Sequence, residues 1–144
     1  FLACFEEEHD TSFVAFCVMG GIFSEGIDLT KDKLIGVIVV GTGLPQISNE
    51  REILKNYYDT LSENGFDYAF RFPGMNKVLQ AAGRVIRTIE DRGIILLLDE
   101  RFLQSDYQNL YPREWKECQI CDIHLVEEKI NAFWKSENLM ESRK

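Results

Sequence analysis

Three apolar runs constrain this chain more than any other feature: FVAFCVM at Phe13–Met19, LIGVIVV at Leu34–Val40 and IILLL at Ile94–Leu98. Each is continuous rather than alternating, and the first two are rich in β-branched or aromatic side chains. That pattern fits strands covered on both faces, as in a parallel sheet. Gly20-Gly21 ends the first run, Gly41-Thr42-Gly43-Leu44-Pro45 stops the second, and Arg92-Gly93 precedes the third. Between and after them lie segments with helical periodicity. Residues 49–64 read as a helix with Asn49 as its cap, carrying Ile53, Leu54, Tyr57, Tyr58 and Leu61, with Gly65 as terminator. Phe66–Pro73 reads as an aromatic connector. Arg101–Tyr111 reads as partly helical, broken by Pro112, and Gln119–Asp122 as a short strand. His124–Trp134 forms a last amphipathic helix before a frayed tail, and residues 1–8 look like the end of a helix. Strands alternating with helices make an α/β domain with a mainly parallel sheet, flanking helices and right-handed crossovers. Ligands of such sheets bind beyond the carboxyl ends of strands.

The segment Lys77–Arg92, KVLQAAGRVIRTIEDR, carries the chemistry. Read as one helix, it gathers Val78, Leu79, Ala82, Val85, Ile86 and Ile89 in one arc. Lys77, Gln80, Arg84, Arg87 and Asp91 fall in a narrow stripe opposite, and Gly83 clears the backbone beside them. Two guanidinium forks along one edge suit a polyanion, because each can hold phosphate oxygens at two points. The alternative is an amphipathic helix whose arginines pair within the domain, with Glu90, Asp91 or Asp28. The helix is expected near the carboxyl edge of the sheet.

A second candidate lies in the loop Gly20–Leu29, which leaves the carboxyl end of the first run. Within Phe23-Ser24-Glu25-Gly26-Ile27-Asp28, Gly26 admits close approach of a ligand to the backbone. Ser24 offers a hydroxyl and neighbouring amides to a phosphate. Asp28 can accept from a ribose hydroxyl or orient an arginine. The same residues also make an ordinary turn.

Composition narrows the classes. A chain of 144 residues suits a single domain over 1–144 with a real core. A formal net charge of −8 argues against a free-standing nucleic-acid binder working by bulk attraction. No apolar run is long enough to span a membrane. The opening FLACFEEEHD lacks the pattern of a signal peptide, and its missing Met points to an excised fragment. Nothing in the cysteines demands an oxidising compartment, so the chain reads as cytoplasmic. Cys4 and Cys17 read as small buried hydrophobes. Cys118, Cys121 and His124 have metal-like spacing, but no second pair completes a tetrahedral site. No G-x-x-x-x-G-K-[ST] loop is present. Asp99-Glu100 after the third run therefore reads as structural rather than as a magnesium site. Gly41-Thr42-Gly43 is half of a dinucleotide fingerprint, weakened by Pro45 and the missing third glycine.

QAAGRVIR at Gln80–Arg87 resembles the Q-x-x-G-R-x-x-R motif of superfamily-two helicases, and GGIFSEGIDL at Gly20–Leu29 resembles the motif that precedes it in DinG-like and XPD-like DNA helicases. Their order, their spacing and the strand after the second motif fit that family from about Phe13 to Trp115. The resemblance implies a RecA-like, P-loop NTPase-like three-layer domain, incomplete at its N-terminus, forming most of the second motor domain. It implies that ATP and Mg²⁺ are held mostly by the first motor domain of the same parent chain, with no metal bound by this fragment. Arg84, Arg87 and Gln80 then act catalytically at an interdomain ATP site, which Gly26 and Asp28 also line, and Ser24 and Glu25 face single-stranded DNA. The rival reading is a non-catalytic α/β interaction module.

Overall fold

The computed structural model describes residues 12–21, 34–89 and 91–141. The chain divides into two compact units, Phe1–Leu110 and Tyr111–Lys144.

In the first unit, strands β1 (Gly36–Val40) and β2 (Ile94–Leu98) pair in parallel, from Gly36 opposite Ile94 to Val40 opposite Leu98. Both lie where the apolar runs place them, but neither is covered on both faces as expected: in β1 Val39 is buried while Ile38 and Val40 are exposed, and β2 is only half-buried. The helices between them differ from expectation. Helix α1 (Asn49–Thr60) starts one residue earlier than its expected cap implies, because the Ser48 hydroxyl accepts from the Arg51 N–H at 3.3 Å. Gly65 does not terminate it. Leu61 caps the helix, and Gly65 donates its N–H to Asp59 Oδ1 at 2.9 Å.

The aromatic connector is helical. A π-helical turn at Asp67–Arg71 runs directly into α2 (Phe72–Ala82). Pro73 is tolerated because its missing N–H falls in a first turn. Ring pairs hold this segment to α1: Tyr58 stacks on Tyr68 with centroids 4.0 Å apart, and Tyr68 meets Phe72 edge-on at 5.1 Å. Arg51 Nη1 donates to the Ala69 carbonyl at 3.0 Å across the same contact. Arg71 lies over the rings of Phe66 and Tyr107 and pairs with Asp67 at 2.6 Å and Asp106 at 3.2 Å. The core consists of Val39, Ala69, Phe70, Met75, Val78, Ala82, Val85, Phe102 and Tyr107.

Phe13–Met19 is not a strand. Among the described residues no ladder pairs with it, and Phe13, Val14, Phe16 and Val18 are exposed. A strand needs a partner for its backbone N–H and C=O groups, and the described sheet consists of β1 and β2 alone. Cys17 is exposed for the same reason, contrary to its reading as a buried hydrophobe. The parallel sheet is therefore established as a small one with helices beside it. Residues 1–8 and Cys4 lie outside the described residues.

After β2, Asp99 opens a 3-10 turn at Glu100–Leu103, followed by the short helix α3 (Ser105–Gln108). In the second unit, 3-10 turns occupy Arg113–Glu117 and Ile123–Leu125, and Gln119–Asp122 is irregular rather than a strand. Asp122 is used as a cap, accepting from the His124 N–H at 2.9 Å. Helix α4 (Val126–Glu141) follows, with Lys129 Nζ donating to Gln119 Oε1 at 2.7 Å. The helix extends into the tail expected to fray. Among the described residues no helix is long and apolar enough to cross a membrane.

Candidate functional site

The arginine segment is not one helix. The α-helical ladder ends at Ala82, and Gly83 caps it with φ −65° and ψ −5°. Two tighter bonds follow, Arg84 N–H to Ala81 O at 3.3 Å and Val85 N–H to Ala82 O at 3.1 Å. Then the Asp91 carboxylate intervenes. Its Oδ2 accepts from the Arg87 N–H at 2.9 Å and the Thr88 N–H at 2.7 Å. These bonds give the two amides a side-chain acceptor in place of helix carbonyls, so a turn replaces further helix. They also hold the Asp91 carboxyl below the usual carboxylate range, the Arg87 amide first and the Thr88 amide next.

The periodic arc survives only in part. Val78, Ala82 and Val85 are buried, whereas Ile86 and Ile89 are exposed. Val85 is the anchor of the turn. A Cβ added to Gly93 would overlap Val85 Cγ1 and stand 2.9 Å from the Ile35 carbonyl oxygen. Ile35 and Gly93 immediately precede β1 and β2. The arginine turn thus sits at the amino ends of the strands, not at the carboxyl edge where it was expected. Helix α2 runs antiparallel to β1. A Cβ on Gly74, in its first turn, would lie 2.7 Å from the Thr42 carbonyl oxygen, just past the carboxyl end of β1.

Along this path Gln80 is exposed on the last part of α2, Arg84 is half-buried on the turn after it, and Arg87 is exposed three residues on. All three are thereby placed in one short stretch. Ser24, Glu25, Gly26 and Asp28 lie outside the described residues, as do Glu90 and the rest of the loop from residue 22 onward. The described residues on either side of that loop sit at opposite edges of the sheet. Gly20 lies against Lys77, near the carboxyl end of β1, and Leu34 leads into its amino end.

Two features fall away from the site. Asp99 is occupied structurally: Oδ1 accepts from the Arg101 N–H at 2.9 Å and from Nε at 2.8 Å, while Oδ2 pairs with Nη2 at 2.7 Å. The Arg101 guanidinium holds the Asp99 carboxyl below its ordinary value. Among the described residues no trio of His, Cys, Asp or Glu could hold a metal, and Cys118, Cys121 and His124 do not converge. An open recess of about 330 Å³, lined by Phe72, Met75, Asn76, Leu79 and Leu110, includes neither arginine.

Comparison with known proteins decides the family. Residues 1–118 match the family described as the helicase C-terminal domain. The chain belongs to that family. Its relatives place it with the DinG/XPD-type superfamily-two helicases. It is 35% identical over 109 residues to a regulator of telomere elongation helicase 1 homolog from Caenorhabditis elegans, covering 69% of this chain and 11% of that protein. It is 34% identical over 106 residues to the general transcription and DNA repair factor IIH helicase subunit XPD of Dictyostelium discoideum, covering 69% of this chain and 13% of that one. It is 34% identical over 89 residues to the ATP-dependent DNA helicase DinG of Photobacterium profundum, covering 60% and 13%. The helicase C-terminal domain seen here thus spans only a small fraction of the length of these relatives.

The sequence reading did not foresee the roles of Val85 with Gly93 or of Asp91 as a cap. Asp91 three and four residues after two amides was the available signal for the cap.

Proposed function

We propose that this domain supplies Arg84 and Arg87 to an ATP site shared with a preceding motor domain of an ATP-dependent DNA helicase. Phosphoryl transfer needs stabilisation of charge on the transferred group more than covalent chemistry, and an arginine provided from outside the phosphate loop is worth about 10³- to 10⁵-fold in rate. The observation that carries the reading is the construction of the arginine turn. Arg84 and Arg87 flank Val85, which is locked against Gly93, and the Asp91 carboxylate fixes the backbone at Arg87. Backbone already held in place leaves only the side chain to be ordered when the cation meets its anion.

In this reading Gln80 orders the same edge, and Gly26 and Asp28 complete the nucleotide side. Ser24 and Glu25 face single-stranded DNA, so that closure on ATP is passed to the strand. Magnesium belongs with the phosphate loop of the other domain, for which no motif exists here. The whole of 1–144 contributes to one motor domain.

The test is Arg87→Ala in the full-length protein. DNA-stimulated ATP turnover should fall by about 10³-fold, with the denaturation midpoint near that of the parent. Unchanged turnover in a folded variant would leave the fold serving as an interaction module instead.

A further inference from the structure

Lys77 lies midway along α2, two turns before Arg84, in a corner made by two glycine turns. Gly20 and Gly43 both have positive φ, +77° and +66°, and each turn closes an apolar run. A Cβ on Gly20 would stand 3.3 Å from Lys77 Cε and 3.7 Å from Nζ, and one on Gly43 would stand 3.6 Å from Lys77 Cβ. Both ends of the lysine stem are therefore flanked by backbone that carries no side chain. Any larger residue at Gly20 would crowd the ammonium end. Among the described residues no carboxylate pairs with this ammonium, although the chain has 24 acidic residues and only 16 Lys and Arg.

A lysine stem is normally rich in rotamers, and immobilising it costs a binding partner free energy. Here packing has already restricted the stem. The position is the carboxyl edge of β1, the edge at which α/β sheets take ligands. It also differs from the arginine position. Seven residues separate Lys77 from Arg84, roughly 10 Å at the helical rise. At that separation the two cations are able to serve different phosphate groups.

We infer that Lys77 is a contact to a backbone phosphate of single-stranded DNA, separate from the nucleotide site. This rests on the motor reading above, because Gly20 begins the loop whose Ser24 and Glu25 that reading assigns to DNA and whose Gly26 and Asp28 it assigns to the nucleotide. An ammonium is a point charge suited to a phosphodiester that carries no sequence information.

The experiment measures binding of a fluorescently labelled oligothymidine to the full-length protein, without nucleotide, over a range of salt concentrations. Loss of one phosphate contact on a single strand lowers the slope of log affinity against log salt by about 0.7. Lys77→Ala should show that fall, with affinity weakened roughly 3- to 10-fold at low salt, and Lys77→Arg should restore both. A slope unchanged in Lys77→Ala overturns the inference. So does a loss of ATP-analogue affinity with the DNA slope intact, which would assign the charge to the nucleotide. So does an equal loss in Lys77→Arg with a lowered melting temperature, which would make the stem structural. Arg87→Ala run in parallel separates the two claims. If it keeps full ATP turnover, the motor reading fails whatever Lys77 does. If it is inactive while the Lys77 variants bind like the parent, only the Lys77 contact fails.

Discussion

Gly93→Ala should loosen the arginine turn from the sheet. The new Cβ would sit 2.9 Å from the Ile35 carbonyl oxygen and overlap Val85 Cγ1 more deeply still. Non-bonded carbon pairs rest at about 3.5–4.0 Å, so the turn and the strand ends must part by about 1 Å or more. Neither obstacle yields easily. Val85 is β-branched and 3% exposed, so it has few rotamers to escape into. The Ile35 carbonyl accepts from the Ile94 N–H at 3.1 Å and opens the β1–β2 ladder. Overpacking costs about 1–3 kcal/mol. With one backbone and one stiff side-chain obstacle, the upper end applies, about 3 kcal/mol. At a urea dependence of about 2 kcal/mol per molar, the midpoint falls by roughly 1.5 M. Far-UV circular dichroism is the suitable probe, because Trp115 and Trp134 both belong to the second unit. Val85→Ala removes the overlapping methyl and by itself costs about 2 kcal/mol. The double variant should be less destabilised than the sum of the singles by about 1 kcal/mol or more. A Gly93→Ala cost below about 1 kcal/mol, or simple additivity, refutes the packing argument.

Thr42→Val should leave stability unchanged or raise it by about 1 kcal/mol, because Thr42 is 1% exposed and its Oγ1 has no hydrogen-bond partner among the described residues. Chemical denaturation checks this, and a clear loss would show that the hydroxyl is satisfied. The Asp99 carboxyl is held below its ordinary value by Arg101, so its contribution is complete above the unfolded value near about pH 4 and is lost as pH falls through the lower folded value. Asp99→Asn should remove about 1 kcal/mol or less at neutral pH, since Arg101 is partly exposed. It should also flatten the acid limb of the stability profile, and an unchanged limb would count against the pair.

The sequence carried the strands and the family more fully than the helices. LIGVIVV and IILLL formed strands because the segments between them supply a covering helix, whose buried face is Met75, Val78 and Ala82. FVAFCVM is as continuously apolar, yet no described neighbour pairs with it. Burial on both faces is a property of surroundings that a run of residues does not contain. FDYAFRFP was misread because aromatics and a proline suggest a break, whereas ring pairs with α1 stabilise a helical path. The arginine segment was overextended because Val85 continues the apolar period after the helix has ended. The Q-x-x-G-R-x-x-R motif nonetheless identified the family, since motif identity depends on residue types and spacing rather than on where the helix stops.

From Val78 to Ala82 the helix reads Val-Leu-Gln-Ala-Ala, with no glycine and no proline. It has no joint there, and its buried face is fixed to the sheet. A displacement at the glycine corner is therefore carried along the rod as far as Gly83, the first glycine on the way to the arginine turn. The domain has, in effect, a stiff rod seated across its strands, and the glycine corner and Gly83 stand a fixed distance apart along it.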